Sequence, residues 1–396
     1  MIKMKKFFAI LLVVLLVFGL AACAADDPEP VAPPEPPPVD DTPEPEPEPE
    51  PEPDEDEPEQ GVDASHVQIA LVAHSPDSIL DDNSFNQGAW DGIQRFLATH
   101  NLPDTNAQFF QPHSADDVAR VDLVADAIGA GANIVVLPGF HFIGASAEMQ
   151  EMFPDVKFVL LDATPAGGAA ANTAAIHYAE HEAGFLAGYA AVREGYRELG
   201  FMGGIAVPAV VRFGHGFLQG AEHAAEYLGL DAGEVSVNYY YIGAFAPSPE
   251  TATMASAWFA GGVEVIFAAA GGAGASVKAG AEGAGGSVIG VDVDQAALSP
   301  TVITSAIKAL DVSVYDMLTD FLNGTFRGGR ELMFDATVNG IGLPMHSSRF
   351  ENFTQAQYDA IFALLANGTI VVNNVVTETV SEADLGLVLV TVVELN

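Results

Sequence analysis

The chain has 396 residues, of which 49% are hydrophobic, so it can bury the cores of two domains of ordinary size. Its 54 Asp and Glu residues against 14 Lys and Arg residues give a formal net charge of −40. This balance argues against nucleic acid as a partner, because such binding needs clustered basic residues. The single cysteine, Cys23, excludes internal disulfides and a cysteine-based zinc or redox centre.

The N-terminus has the pattern of a secretory signal. Three lysines precede an apolar run, 7–20, which ends in Leu20-Ala21-Ala22-Cys23; the run is shorter than the ~20 residues that span a bilayer. Because cysteine directly follows Leu-Ala-Ala, the stretch resembles a bacterial lipobox. That resemblance implies a lipoprotein signal peptide at 1–22, lipid on Cys23 and attachment to the membrane through that lipid. The alternative is an ordinary signal peptide or an anchor with an incidental cysteine.

Residues 23–65 are predicted to hold the lipidated cysteine and a disordered acidic Pro/Glu spacer. The segment 26–60 repeats Pro-Glu, contains no Lys or Arg and has almost no large apolar residue, so it cannot bury enough surface to fold. Proline and like charges favour an extended chain, which at about 3.1 Å per residue reaches ~100 Å. We expect a spacer that lifts the folded part off the membrane; a Pro-rich motif that binds a partner is the alternative.

From residue 67 onward, strand-like and helix-like segments alternate in two series. This pattern predicts parallel sheets with helices on both faces. We therefore expect an α/β fold of two doubly wound parallel-sheet lobes joined by a hinge, with lobe 1 at 66–175 plus a return segment 308–396, and lobe 2 at 176–307. The predicted strands are 67–74, 108–111, 134–137, 158–162, 199–205, 235–242, 263–269, 288–291 and 302–307. The predicted helices are 87–99, 116–130, 145–153, 182–194, 213–228, 251–260, 274–284, 312–322 and 354–366.

Ligands of such sheets bind beyond the carboxyl ends of the strands, and polar and aromatic residues follow several predicted strands. Carboxylates can accept two hydrogen bonds from a diol, and aromatic rings can sandwich a heterocycle. This mixture suits a neutral, polyhydroxylated ligand with a flat ring. Helix N-capping is the alternative role for Asp162 and Asp292. The candidate residues are Phe85, Asn86, Asp162, Phe245, Gly271, Gly272, Asp292 and Lys308.

Other residues at these strand ends are given structural roles. The turn 270–274 lacks the lysine and the spacing of a phosphate-binding loop. His177 and His181 are four residues apart without an HExxH pattern, so no metal site is expected, and no cofactor is expected. Arg212 is expected to pair with a carboxylate across the lobe. Phe140, Phe213 and Phe217 are assigned to the core.

Several stretches resemble the basic membrane protein family of lipoproteins. These are the substrate-binding components of nucleoside ABC transporters and include purine-nucleoside receptors. The order and spacing of the stretches span about residues 67–370. They are 82–88 (DNSFNQG), 182–188 (EAGFLAG), 201–204 (FMGG), 211–217 (VRFGHGF), 269–274 (AAGGAG), 289–295 (IGVDVDQ) and 304–308 (TSAIK) running on to 311–316 (DVSVYD).

The resemblance implies a type I periplasmic-binding-protein fold that captures a nucleoside, with a purine expected, between its lobes. It also implies a monomer on the extracellular face of the cell membrane that delivers the ligand to a permease driven by a separate ATPase. Phe85 would stack on the base and Asn86 would read its edge, while Asp292 and Lys308 would hold the ribose. The remaining family-implied residues are Asp162, Gly271 and Gly272 as lining and Phe245 as a second stacking ring.

Three other functions compete with solute binding. A nucleoside hydrolase would use Asp81, Asp82, Asp292 and Asp294, but these residues are split between two loops in different lobes, so we expect no enzyme. A receptor of the same fold for a sugar or a signalling molecule is the second alternative. A surface protein that engages a host or matrix partner is the third.

Overall fold

The computed structural model describes residues 61–377 and 379–395. The predicted signal peptide, Cys23 and the spacer up to residue 60 lie outside these residues. The strands, in chain order, are β1 (Ile69–Val72), β2 (Ala107–Phe110), β3 (Ile134–Pro138), β4 (Lys157–Leu161), β5 (Thr173–Tyr178), β6 (Glu198–Gly203), β7 (Val235–Tyr241), β8 (Val265–Ala269), β9 (Ser287–Asp292), β10 (Val302–Lys308), β11 (Arg330–Phe334), β12 (Ile341–Gly342) and β13 (Val390–Glu394).

Helices connect most of these strands. In chain order they are α1 (Phe85–Thr99), α2 (Asp117–Gly129), α3 (Ile143–Met152), α4 (Glu180–Glu194), α5 (Pro208–Leu228), α6 (Pro249–Ala260), α7 (Gly274–Ala284), α8 (Leu310–Asn323), α9 (Gln355–Ala366) and α10 (Glu382–Leu385). Within the described ranges, none of the helices combines the length and the apolar character that a membrane span requires.

The strands form two sheets with the same internal order. The first sheet runs β11-β5-β4-β3-β1-β2, and the second runs β12-β10-β9-β8-β6-β7-β13. Their pairings are parallel except for the antiparallel contact of β10 with β12. The first five strands of each lobe thus follow the doubly wound order 2-1-3-4-5. This confirms the predicted α/β fold with two doubly wound parallel-sheet lobes.

Both faces of the sheets are covered, which explains the nearly continuous apolar strands. In β1, Ile69 and Leu71 belong to one core cluster, whereas Ala70 and Val72 belong to another. Successive side chains point to opposite faces of a strand, so a strand buried on both sides needs apolar residues at every position. The runs in the sequence therefore predict these central strands well.

Two strands of the first sheet, β5 and β11, are missing from the predicted elements. The Gly/Ala-rich segment after residue 162 contains β5, which pairs with β4 on one side and with β11 on the other. Its small residues Ala174 and Ala175 are fully buried. They give no apolar run in the sequence, and only the neighbouring strands make this segment extended.

Within the described residues, the chain crosses between the two sheets three times. The crossings run from β5 into α4, from β10 into α8, and from β11 through the turn Ala336–Val338 to β12. Backbone hydrogen bonds join the first and second crossings to the third. The Ala179 N–H donates to the Phe334 carbonyl at 3.1 Å, and the Ala309 N–H donates to the Gly340 carbonyl at 2.9 Å.

The end of the chain divides between the lobes in a way the sequence did not predict. Helix α8 packs against α1, and β11 joins the first sheet, as expected for a return to lobe 1. The later part of the return segment differs from the prediction, because β12 and β13 extend the second sheet. Pairing with β10 and β7 covers two open sheet edges, and short segments give little sign of such long-range pairing.

Helices α4 and α5 form the closest helix pair of the second lobe. A Cβ atom added at any of four glycines would lie 2.0–2.1 Å from a backbone carbonyl oxygen of the opposite helix. Larger residues at these positions would therefore separate the helices. The glycines are Gly184 and Gly188 on α4, and Gly216 and Gly220 on α5.

Candidate ligand site at the ends of the strands

Two aspartates at the carboxyl ends of strands have an uncommon backbone conformation. Asp162 follows β4 with φ 58°, and Asp292 ends β9 with φ 66°. Left-handed backbone is uncommon for residues other than glycine and costs of order 1–3 kcal/mol where it is imposed. Neither residue caps a helix, because the Asp162 carboxylate accepts from Lys308 and the Asp292 carboxylate accepts from Ser84.

Lys308 lies at the centre of the site. It is the last residue of β10, and its side chain is 2% exposed. Its Nζ lies 2.6 Å from Asp162 Oδ2, 3.1 Å from Glu180 Oε1 and 3.8 Å from Asp292 Oδ1. The ammonium therefore joins a carboxylate of the first sheet to a carboxylate of the second. Three aromatic rings have their centroids 4.9–5.4 Å from Nζ, namely Phe85, Tyr178 and Phe213.

Glu180 is the member of this cluster that the sequence interpretation missed. It is fully buried in the first turn of α4, and its Oε2 accepts from Arg212 Nε at 2.6 Å. The pairing expected for Arg212 is therefore present. An acidic residue two positions beyond a strand was the available signal, but without β5 the helix was placed two residues later, at Glu182.

Burial and neighbouring charges set the protonation of the cluster. Burial raises the pKa of Asp162 to about 7, with Glu180 and Asp292 acting in the same direction and Lys308 opposing them. Burial also raises the pKa of Asp292. Burial acts to raise the pKa of Glu180 as well, but Lys308 and Arg212 outweigh it and lower this pKa to about 2. The three carboxylates together raise the pKa of Lys308, against the effect of its burial.

Two buried carboxylate oxygens of this cluster have no hydrogen-bond partner among the described residues, Asp162 Oδ1 and Glu180 Oε1. Glu180 Oε1 lies 3.1 Å from the Lys308 ammonium. Leaving a buried acceptor unsatisfied costs free energy, so Asp162 Oδ1 is a suitable place for a hydroxyl or N–H of a ligand.

The loop after β1 is shaped by Asp82. Its carboxylate accepts from the backbone N–H groups of Ser84, Asn86 and Gln87 at 2.8–3.1 Å. Burial raises the pKa of Asp82 to about 6, against the effect of these hydrogen bonds. These contacts satisfy free N–H groups at the start of α1 and hold the first residues of the helix in place.

Phe85 and Asn86 differ in how they are held by this loop. Phe85 is half-buried, with its ring 4.9 Å from Lys308 Nζ. Asn86 is 6% exposed, and its Nδ2 donates to the Ile79 carbonyl at 3.0 Å. Next to them, Ser84 Oγ donates to Asp292 Oδ2 at 2.5 Å, which links the loop to the second lobe.

The other predicted site residues form a second group. The Phe245 carbonyl accepts from the Ala273 N–H at 2.8 Å, and its ring packs over Gly204 and Gly271. A Cβ atom would lie 2.3 Å from this ring at Gly204 and 3.4 Å from it at Gly271. Next to Gly271, a Cβ at Gly272 would lie 3.1 Å from the Phe245 carbonyl oxygen.

The carboxylates of the hydrolase alternative have separate surroundings. Asp81 is exposed, and Asp82 caps α1 as described. Asp294 accepts from the Ala296 N–H at 3.0 Å and from Ser347 Oγ at 2.5 Å. Of the four aspartates, Asp292 is the one in contact with Lys308.

The chemistry of the site is suited to recognition through hydrogen bonds and ring contacts. Carboxylates accept from hydroxyl groups, an ammonium donates to them, and an aromatic ring can stack on a planar base. These groups lie at the carboxyl ends of the strands, where ligands of doubly wound sheets bind.

Comparisons with known proteins identify relatives of this chain. A family model described as "ABC transporter substrate-binding protein PnrA-like" matches residues 67–375. The chain is 26% identical over 311 residues to Basic membrane protein A1 of Borrelia garinii, which covers 77% of this chain and 88% of that protein. It is 28% identical over 292 residues to a Lactococcus lactis protein named ABC transporter nucleoside-binding protein BmpA, covering 69% and 80%.

Solved structures of ABC transporter solute-binding proteins share the fold. One from Aeropyrum pernix has a TM-score of 0.65 at 23% identity, covering 78% of this chain and 94% of that one. One from Conexibacter woesei has a TM-score of 0.63 at 24% identity, covering 78% and 99%. At these identities the similarity shows the fold alone, and it confirms the expected type I periplasmic-binding-protein architecture.

Proposed function

This chain belongs to the Bmp family of PnrA-like ABC transporter substrate-binding proteins, and we propose that it captures a nucleoside, with a purine expected, between its two lobes. Lobe closure then presents the loaded protein to a membrane permease. A Lactococcus lactis relative is named as nucleoside-binding, which supports this ligand class.

The observation that carries the proposal is the position of Lys308. Its ammonium lies between Asp162 and Asp292, which come from different sheets, and below the ring of Phe85. Asp292 and Lys308 bind the ribose hydroxyls in this proposal, and Phe85 stacks on the base. Asn86 reads the edge of the base through its amide.

The remaining candidates line the same cleft in this proposal. The open Oδ1 of Asp162 accepts from the ligand. Phe245 provides the second ring, and Gly271 and Gly272 let the backbone approach the base. Hinge closure follows from ligand contacts to both lobes.

The proposed setting is the extracellular face of the cell membrane. The lipobox-like sequence at Cys23 supports a lipid anchor, and the Pro/Glu spacer supports a folded part that stands off the bilayer. We propose that the protein acts there as a monomer. We propose transport without catalysis, because Asp82 accepts from the N–H groups at the start of α1 and Asp294 accepts from Ala296 and Ser347, so these two carboxylates do not form a shared centre.

Isothermal titration with purine and pyrimidine nucleosides, free ribose and a purine nucleoside monophosphate tests the proposal. We expect purine nucleosides to bind best and the monophosphate to bind poorly, because Lys308 and Arg212 are already paired with carboxylates. Binding of ribose alone would favour the sugar-receptor alternative. The absence of any nucleoside binding at high micromolar concentration would refute the ligand class, and release of ribose from a nucleoside would indicate a hydrolase.

A Phe85→Ala variant tests the stacking role within the same titration. Loss of a stacked base costs about 1–3 kcal/mol, whereas the melting temperature of the unliganded protein should change little because Phe85 is half-buried. Phe217→Ala is the matched control. Phe217 is fully buried, so its loss should destabilise the fold by about 3–5 kcal/mol. A large loss of stability in Phe85→Ala would instead place Phe85 in the core.

A further inference from the structure

We propose that Glu180 and Arg212 form a positioning pair that holds the Lys308 ammonium between Asp162 and Asp292 for contact with the ligand. This inference rests on the proposed function and adds two residues to the same site. Neither is among the residues assigned to ligand contact above.

The contacts of Glu180 make it a bridge between two cations. Its Oε1 lies 3.1 Å from Lys308 Nζ, and its Oε2 lies 2.6 Å from Arg212 Nε. Glu180 is fully buried, and the side chain of Arg212 is 18% exposed. A buried carboxylate with cations on both sides has a strongly restricted position, since moving it would leave charges unpaired in a dry environment.

The packing of α4 on α5 restricts the pair further. Glu180 lies one turn before Gly184, and Arg212 lies one turn before Gly216. At both glycines the opposite backbone leaves no room for a side chain. The separation of the two helices is thus set by backbone contact next to the ion pair, so Glu180 and Arg212 approach each other at a constant distance.

The pair also lies where the chain passes between the lobes. Glu180 begins α4 directly after the first crossing, and Lys308 ends β10 directly before the second. Their neighbours are bonded to the third crossing, through Ala179 to Phe334 and Ala309 to Gly340. Lys308 already contacts the carboxylates of both lobes, so Glu180 and Arg212 hold its ammonium in this position next to the hinge segments, which absorb the backbone changes of closure.

Replacement of Glu180 by glutamine removes the charge and keeps the size. We expect Glu180→Gln to weaken binding of the best nucleoside about 10- to 100-fold, as for the loss of a charged hydrogen-bond partner. Glu182→Gln is the matched control on the same helix. The Glu182 carboxylate accepts from the Ala336 N–H at 2.8 Å, so this variant should stay within about threefold of the wild type.

Coupling to Lys308 separates positioning from a general structural role. In a Lys308→Met background, Glu180→Gln should change the affinity by less than about twofold, because its effect passes through the missing ammonium. If Glu180→Gln weakened nucleoside binding by the same factor of 10 or more in the wild type and in Lys308→Met, the inference would be overturned.

A titration of the unliganded protein tests the pair without any ligand. Carbon-13 NMR of the Asp162 carboxyl should give a pKa near 7 in the wild type. Removing the negative charge of Glu180 should lower it, and Arg212→Gln, which removes a positive charge, should raise it. Glu182→Gln should leave the pKa of Asp162 unchanged. Arg212→Gln also serves as the second variant if Glu180→Gln fails to fold.

The outcomes distinguish this inference from the proposed function. A wild-type protein that binds no nucleoside refutes the proposed function, while opposite shifts of the Asp162 titration in the two variants would still support the positioning pair. A wild-type protein that binds nucleosides, together with unchanged affinity and unchanged Asp162 titration in both variants, refutes the positioning pair alone.

Discussion

Asp162 combines three uncommon features at a single residue. It has left-handed backbone, an ion pair with Lys308 at 2.6 Å and a buried acceptor atom without a partner. Strain and unsatisfied polar atoms destabilise a fold and persist where function requires them. In the proposed function, Asp162 accepts a hydrogen bond from the ligand, and this role would account for the cost in stability.

The pH dependence of stability gives a prediction for this residue. The pKa of Asp162 rises from 3.8 to about 7 on folding, so between these values the folded protein holds a proton that the unfolded chain releases. Stability from this group therefore falls as pH rises from about 4 to about 7. In Asp162→Asn, this decrease in stability with rising pH should be absent.

Urea denaturation at several pH values between 4 and 8 provides the measurement. The difference in unfolding free energy between Asp162→Asn and the wild type should increase with pH in favour of the variant. Asp155→Asn, which removes an exposed carboxylate, is the control. A difference that is constant with pH would contradict the raised pKa.

The helix pair α4–α5 shows how one element contact supports the site. Glycines at i and i+4 on both helices let the backbones touch, and Glu180 and Arg212 extend the same rows by one turn. The 3.6-residue period puts such residues on one face. The packing of α4 on α5, which fills the core, thereby also sets the distance between Glu180 and Arg212.

Two glycine-to-alanine substitutions test this packing with opposite signs. At Gly188 a Cβ atom would lie 2.0 Å from the Phe217 carbonyl oxygen, so Gly188→Ala should destabilise the protein by about 1–3 kcal/mol. At Gly283, within α7, nothing lies within 4 Å of the added atom. Gly283→Ala should therefore stabilise by up to about 1 kcal/mol through helix propensity. Denaturation midpoints that move in the same direction would contradict the close contact.

For the whole molecule, the lobes are joined by three crossings, by a core cluster that contains strands of both sheets, by the Lys308–Asp162 ion pair and by hydrogen bonds at the cleft. Asn83 and Gln295 join the lobes through the Gln295 Nε2 donor and the Asn83 carbonyl at 2.8 Å, and Ser84 joins Asp292. Hydrogen bonds and ion pairs at the cleft can be exchanged for contacts with a ligand, so a ligand that binds both sides can bias a hinge equilibrium.

Hydrogen exchange with and without the best nucleoside tests this view. We expect protection to concentrate in segments 83–88 and 291–296, because ligand and lobe contacts meet there. The ratio between the exchange rates of the central strands of the two sheets should be the same with and without the nucleoside. Protection confined to one lobe would show that the ligand binds without bridging the cleft.

The sequence by itself determined the class of fold and most elements of the lobes. Central parallel strands are buried on both faces, so their apolar runs are visible without any partner, and amphipathic helices show their own period. The family motifs contain Phe85, Asp292 and Lys308, and Asp162 was a candidate because it lies at the end of a predicted strand; the structure brings these four together.

Tertiary structure alone decided the features that depend on distant partners. Strand β5 is extended because β4 and β11 lie beside it, and β13 joins the second sheet because β7 offers an open edge. Glu180 became part of the site only when α4 brought it next to Arg212 and Lys308. Local patterns record which side of an element is buried, but pairing across more than a hundred residues depends on the geometry of the folded chain.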